Sequence, residues 1–179
     1  MDVAAQVVDF WKEAGPAKWF ARDDAFDAQF RRLFLDEHFA AAARAREHWL
    51  GSAEGALALM LLLDQFPRNC FRGTAHSYAT DGLARHYAMR AIEEGLDLQL
   101  VPKLRAFIYL PFEHSEDPLD QDRSVAMFDV LGDKEYLQYA DLHRDIIRRF
   151  GRFPHRNAVL GRIPTPEELD YLAEGGFAG

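Results

Sequence analysis

The sequence predicts an all-α chain, an array of about seven or eight helices joined by short links, and three observations carry that prediction. Apolar residues recur at helical spacing in nearly every segment. No run of alternating β-branched residues is long enough to propose a strand. The interruptions between periodic segments carry helix caps, glycines or prolines. With 179 residues the chain suits one domain, and the tail after Gly175 is expected to be loose.

Taken in order, Val3, Val7, Phe10 and Trp11 define a first amphipathic helix, ended by Gly15-Pro16. Trp19-Phe20 then reads as a core plug. Asp23 or Asp24 caps a second helix carrying Phe26, Phe30, Leu33 and Phe34, with its pattern running on toward Trp49-Leu50. Ser52 and Glu54 open a helix that is apolar on every side from Leu57 to Leu63, as a helix surrounded by others must be, and it is expected to stop at Asp64-Gln65-Phe66-Pro67. His76 to Glu94 is helical and stopped by Gly95. Pro102 fits a first helical position for a segment that Pro111 should end, leaving Glu113, His114, Ser115 and Glu116 in a loop. Asp117-Pro118 starts the next helix, Gly132-Asp133 separates it from one running to Gly151, and Thr165-Pro166-Glu167-Glu168 carries the cap signals of a last one.

Composition removes several function classes. A net charge of −8 argues against a general nucleic-acid or anionic-membrane binder, both of which need a basic footprint. The single cysteine, Cys70, excludes an internal disulfide and a thiolate cluster and fits a reducing cytoplasm. The N-terminal stretch has no basic region ahead of an apolar run, so it is not read as a secretory signal, and the longest apolar run, Ala56 to Leu63, falls far short of a membrane span. A glycine-rich phosphate loop, GxSxG, HExxH and CxxC are all missing, so the enzyme classes those motifs mark receive no support.

The densest polar stretch is Tyr139 to Arg162, YADLHRDIIRRFGRFPHRNAVLGR, with six arginines, two histidines and an asparagine around one helix end. Projected at 100° per residue, His143 falls among Tyr139, Leu142, Ile146, Ile147 and Phe150 and points inward. From Asp141 to Arg162 the charge is +4, whereas Glu113 to Arg123 carries −4, so the two segments can neutralise each other. An internal echo joins this stretch to an earlier one, since DQFPRN at 64 to 69 and GRFPHRN at 151 to 157 both place Phe-Pro and then Arg-Asn beyond a helix end.

Four stretches carry a resemblance to a bacterial family: WF at 19 and 20, LLLDQFPRNCFRG at 61 to 73, YLPFEHSED at 109 to 117, and HRDIIRRFGRFPHRNAVLGR at 143 to 162. The chain resembles the bacterial domain of unknown function 924. The resemblance implies a tetratricopeptide-like α-α superhelix and no assigned activity. It also implies an aliphatic residue where this chain has Cys70, which counts against a cysteine nucleophile.

Two chemistries fit the polar residues. His143, His155 and His114, with Glu113, Glu116 and Asp64 as carboxylates, have the types needed for acid-base work, because a histidine titrates near neutrality and a carboxylate can orient it. No pair of these histidines has the i, i+4 spacing of a zinc helix, so neither a metal nor a cofactor is expected. Arg68, Asn69, Arg72, Arg144, Arg152, Arg156 and Asn157 can form a planar clamp for a small anionic molecule or an acidic peptide end. The same arginines can instead pair with internal acids. The leading expectation is a cytoplasmic binding module; a His/carboxylate hydrolase and a structural interaction module with internally paired charges are the alternatives, and oligomeric state is left open.

Overall fold

The structure is a computed structural model describing Asp2 to Gly179, and every regular element among those residues is helical. Two compact units divide the chain: one comprises the chain up to Arg72 together with His76–Pro111, the other Gly73–Ala75 with Phe112–Gly179.

The first unit holds α1 (Val3–Ala14), α2 (Pro16–Trp19), α3 (Asp24–Ala42), α4 (Ala53–Met60), α5 (Phe66–Cys70) and α6 (Asp81–Glu93), and it takes in α7 (Pro102–Glu113) as far as Pro111. Caps placed by the sequence are present: Asp23 accepts from the backbone of Ala25 and Phe26, and Ser52 from Gly55. Its core is aromatic. Trp11 and Trp19 stack with centroids 6.3 Å apart, Phe107 meets both edge-on, and the Trp19 indole N–H donates to the Trp11 carbonyl at 2.7 Å, occupying an acceptor at the end of α1. Phe20 departs from the plug that the sequence suggested, being 60% exposed while stacked on Phe107.

Two helix boundaries also differ from the sequence reading. α3 stops at Ala42 instead of continuing toward Trp49, because Arg44 takes the left-handed conformation (φ 63°) and Ala45 donates back to the Ala40 carbonyl. That is a glycine-type helix stop made with an arginine, so no glycine marked it. The all-apolar helix, in turn, does not end at Pro67. Between α4 and α5 the chain passes through a π turn, Leu61–Gln65, in which Phe66 donates to Leu61 five residues back.

This π turn governs the unit's polar interior. Phe66 bypasses the Leu62 carbonyl, and Pro67 has no N–H to offer Leu63. Leu61 to Gln65 are all buried, so water is not the replacement. His38 Nδ1 meets the Leu62 carbonyl at 2.8 Å, the Thr80 hydroxyl donates to Leu63, and Arg68 donates to Asp64 at 2.9 Å. A carbonyl only accepts, so His38 carries its proton on Nδ1, leaving Nε2 to accept from His76 at 2.8 Å.

The second unit holds α8 (Pro118–Leu131), α9 (Lys134–Phe150) and α10 (Pro166–Ala173). Gly132 at φ 79° and the Asp133 cap turn α8 into α9, and the two pack along one another as a helical hairpin. Gly151, at φ 69°, ends α9, and Thr165 with Glu168 closes a capping box on α10. Pro111 lies inside α7, so Glu113 is a helical residue and not part of a loop. Among the described residues no helix is long and apolar enough to cross a membrane.

Replacing Thr80 by valine should cost about 1–3 kcal/mol of unfolding free energy by stranding the Leu63 carbonyl. In a Pro67→Ala background the cost should shrink, because the new amide at position 67 reaches the same acceptor. Denaturant unfolding of the double-mutant cycle measures the coupling.

Candidate functional site

Candidates from the first unit are held by its own carboxylates. Arg68 donates to both oxygens of Asp81 at 2.9 Å and reaches Asp64 Oδ1 at 3.0 Å, so one guanidinium bridges two buried acids. Burial disfavours its charge, and Asp64 and Asp81 more than restore it. Asn69 donates to Asp27 Oδ1 at 2.7 Å, while Arg72 takes Oδ2 at 3.1 Å. Cys70 is inert as a thiolate source, since burial and then Asp27 push its thiol up to about 12.

In the second unit the helix termini place the remaining candidates. The end of α7 carries Glu113 and His114, α9 carries His143 and Arg144, and the turn after Gly151 carries Arg152, His155, Arg156 and Asn157. Gln121 of α8, fully buried, holds the end of α7 by donating to the carbonyls of Glu113 at 2.6 Å and Ser115 at 2.7 Å. Glu116 accepts both terminal nitrogens of Arg162, at 2.7 and 3.1 Å, and the Phe153 N–H at 2.8 Å. Burial alone would raise this carboxyl; Arg162 and the Phe153 amide outweigh it and hold the group below the usual carboxylate range.

The echoed motif corresponds in one respect, that each copy gives its asparagine to an internal carboxylate. Glu168 accepts Arg152 in a bidentate fork at 2.6 and 2.8 Å, Asn157 at 3.1 Å, and the Thr165 N–H at 2.7 Å. Led by the bonds to Arg152, these donors lower its carboxyl to about 2. In the first unit Asp27 also takes an asparagine and an arginine, the arginine through its Nε alone. Both Arg-Asn motifs therefore supply an asparagine, Asn69 and Asn157, to an internal carboxylate. Arg144 also pairs internally, with Asp141 at 2.6 Å.

What remains is a histidine cluster. His143 is 6% exposed, and its Nδ1 meets the Tyr139 carbonyl at 2.8 Å with Glu113 Oε1 at 3.5 Å. The carbonyl bond places the proton on Nδ1, so Nε2 carries a lone pair, and no described residue hydrogen-bonds it. Around His143 stand His114 (ring centroids 6.3 Å), Phe153 (5.4 Å) and Phe177 (4.7 Å), while His155 contacts both phenylalanines. Arg156 lies 4.3 Å above the Phe153 ring and donates to the His114 carbonyl at 2.9 Å. Burial, reinforced by the charges of His114, Arg156 and His155 against the opposing Tyr139 carbonyl, lowers His143 to about 3. It is neutral at physiological pH.

The structure thus brings His114, His143, His155, Arg156 and Glu113 together in one unit and commits Arg68, Asn69, Arg72, Arg144, Arg152 and Asn157 to internal partners. Sequence reasoning missed Gln121, Asp27, the His38–His76 pair and Phe177. His38 was detectable, since it continues the stripe Phe26, Phe30, Phe34 at four-residue steps into the buried face of α3.

Comparison with known proteins gives a family match and a structural one. Residues 7–176 match the family described as "Bacterial protein of unknown function (DUF924)". A solved structure of a protein of unknown function from Agrobacterium tumefaciens is 58% identical and superposes with a TM-score of 0.95, covering 97% of this chain and 98% of that one. No curated protein matches.

The depressed His143 makes stability depend on pH. Between about pH 6.5 and pH 3 the unfolded chain binds a proton at this residue that the folded chain refuses, so stability is lost as the pH falls, by up to about 1.4 kcal/mol per pH unit. Unfolding titrations should show a shallower acid loss for His143→Asn than for the wild type. Gln121→Leu should cost about 2–3 kcal/mol at any pH by stranding the α7 carbonyls, read from the same titrations.

Proposed function

The chain belongs to the DUF924 family of bacterial proteins of unknown function, and we propose that it is a binding protein whose second unit takes a small anionic molecule, or the carboxylate end of an acidic peptide, at the cluster of His114, His143, His155 and Arg156. The observation that carries this reading is the Nε2 of His143. The tautomer is fixed by the Tyr139 carbonyl, so Nε2 is an acceptor that no hydrogen bond within the described residues uses and that a ligand's O–H can take. A phosphate monoanion or a carboxylic acid carries the required O–H. Arg156 gives the cluster its fixed positive charge, suited to the ligand's remaining negative oxygens. A cytoplasmic setting is part of the proposal and rests on the single cysteine.

A hydrolase reading is favoured by one contact, Glu113 Oε1 against His143 Nδ1 at 3.5 Å. Two facts favour binding over it. The short Nδ1 bond goes to the Tyr139 carbonyl, and a histidine held at about 3 is a weak general base at neutral pH. The structural reading is supported for Arg68, Arg72, Arg144 and Arg152, whose carboxylate partners mark them as ties between helix ends.

Calorimetry with inorganic phosphate, succinate and a short peptide ending in glutamate tests the proposal. At least one of them should bind, more tightly at pH 6 than at pH 8, and with proton uptake, because an anion beside His143 raises its pKa. His143→Asn keeps a donor for the Tyr139 carbonyl and removes Nε2, so it should weaken binding by about tenfold, or about 1.4 kcal/mol. Equal affinity in the variant, or no binding by any of the three, overturns the reading.

A further inference from the structure

We propose that the site contains a ring slot, that Phe177 is its resident occupant, and that the ligand is a small aromatic acid whose ring displaces Phe177 while its anionic group engages His143. This inference rests on the anion-binding reading above and adds the ligand's chemical class and a competing strap.

The Phe177 ring stands edge-to-face with two imidazoles, 4.7 Å and 64° from His143 and 5.3 Å and 79° from His155, and it packs on the core of Ile146, Ile147 and Phe153. Two aromatic edges and an apolar floor make a slot for a flat ring. A phenyl ring beside His143 has no donor for its Nε2, so the present occupant leaves that acceptor unused. A ring bearing a carboxylic acid or phosphate monoanion fills the slot and supplies the missing donor.

The segment that delivers Phe177 is lightly held. Phe177 is only half-buried and its N–H donates to the Tyr171 hydroxyl at 2.9 Å, while Glu174, Gly175, Ala178 and Gly179 are exposed. Gly175 sits at φ 84°, and a Cβ on Gly176 would come within 2.5 Å of the Tyr171 carbonyl oxygen and 2.6 Å of its ring. Only glycine allows the chain to pass Tyr171 so closely and drop Phe177 onto the histidines. Beyond it, Gly179 lies against His155, where a Cβ would stand 3.0 Å from Cδ2. The tail expected to be loose is therefore a strap, anchored by the Phe177 ring and by the Gly176 and Phe177 amides on Tyr171.

The test measures phenyl phosphate and inorganic phosphate binding to the wild type, Phe177→Ala and Gly176→Ala, with His143 reactivity toward diethyl pyrocarbonate followed in each. Phe177→Ala empties the slot, and Gly176→Ala dislodges an intact ring, so neither relies on the other's fold. Both variants should bind phenyl phosphate at least about tenfold more tightly than the wild type, a larger gain than inorganic phosphate shows, and His143 should react faster. If phosphate binds all three proteins but phenyl phosphate gains nothing in the variants, the slot is overturned and the anion site stands. If neither probe binds any of the three, both readings are overturned. Unchanged His143 reactivity in both variants also overturns the strap, whatever the affinities.

Discussion

The first unit depends on two neighbouring omissions, the bond to Leu62 that the π turn skips and the backbone proton that Pro67 does not have. In an exposed helix the loss would be made good by water. Here it falls in a helix buried on every side, so the carbonyls released by the π turn and the proline must find protein donors. Thr80 and His38 answer that need from different directions, and Arg68 adds a bond to the neighbouring Asp64 carbonyl. His38 recruits His76, and Arg68 holds Asp81 at the start of α6. A defect in one ladder of hydrogen bonds thereby sets where several polar groups of the interior must stand.

The second unit handles helix ends by a related rule. Gln121 supplies donors where α7 runs out of them, and Glu168 gathers the donors of a turn and of a helix start onto one carboxylate. Such clustering explains how a chain with 17 arginines and only four lysines uses them. Fixed, planar forks suit carboxylates that cannot move, and most of the candidate clamp is spent in this way. His143 differs because its second nitrogen has no such use.

Much of the fold was legible because caps and periodicity are local signals. Asp23, Ser52, Asp117 and Thr165 announced their helices, and Gly132 and Gly151 ended theirs. The failures have equally local causes. A π turn has nearly the same apolar pattern as an α turn, so Leu61 to Gln65 read as ordinary helix up to the proline. Arg44 performs a glycine's task without a glycine's signature, and Pro111 continues a helix that its chemistry argues against. For the site, the inward aim of His143 followed from its place on the face of α9. The commitment of Asn69, Arg72 and Asn157 did not, because their partner carboxylates lie elsewhere in the sequence and no spacing rule connects them. Phe177 was invisible for a different reason: a lone aromatic among glycines carries no period.

The two carboxylate hubs, alike in chemistry, differ in the length of chain that each must close. Glu168 draws Asn157 and Arg152 across 11 and 16 residues, whereas Asp27 draws Asn69 and Arg72 across 42 and 45. Closing the longer loops costs about 1 kcal/mol more in chain entropy. The turn around Glu168 therefore closes from nearly local contacts, while the hub at Asp27 requires α3 and α5 to meet. Two similar carboxylate hubs thus carry unequal entropic costs of closure.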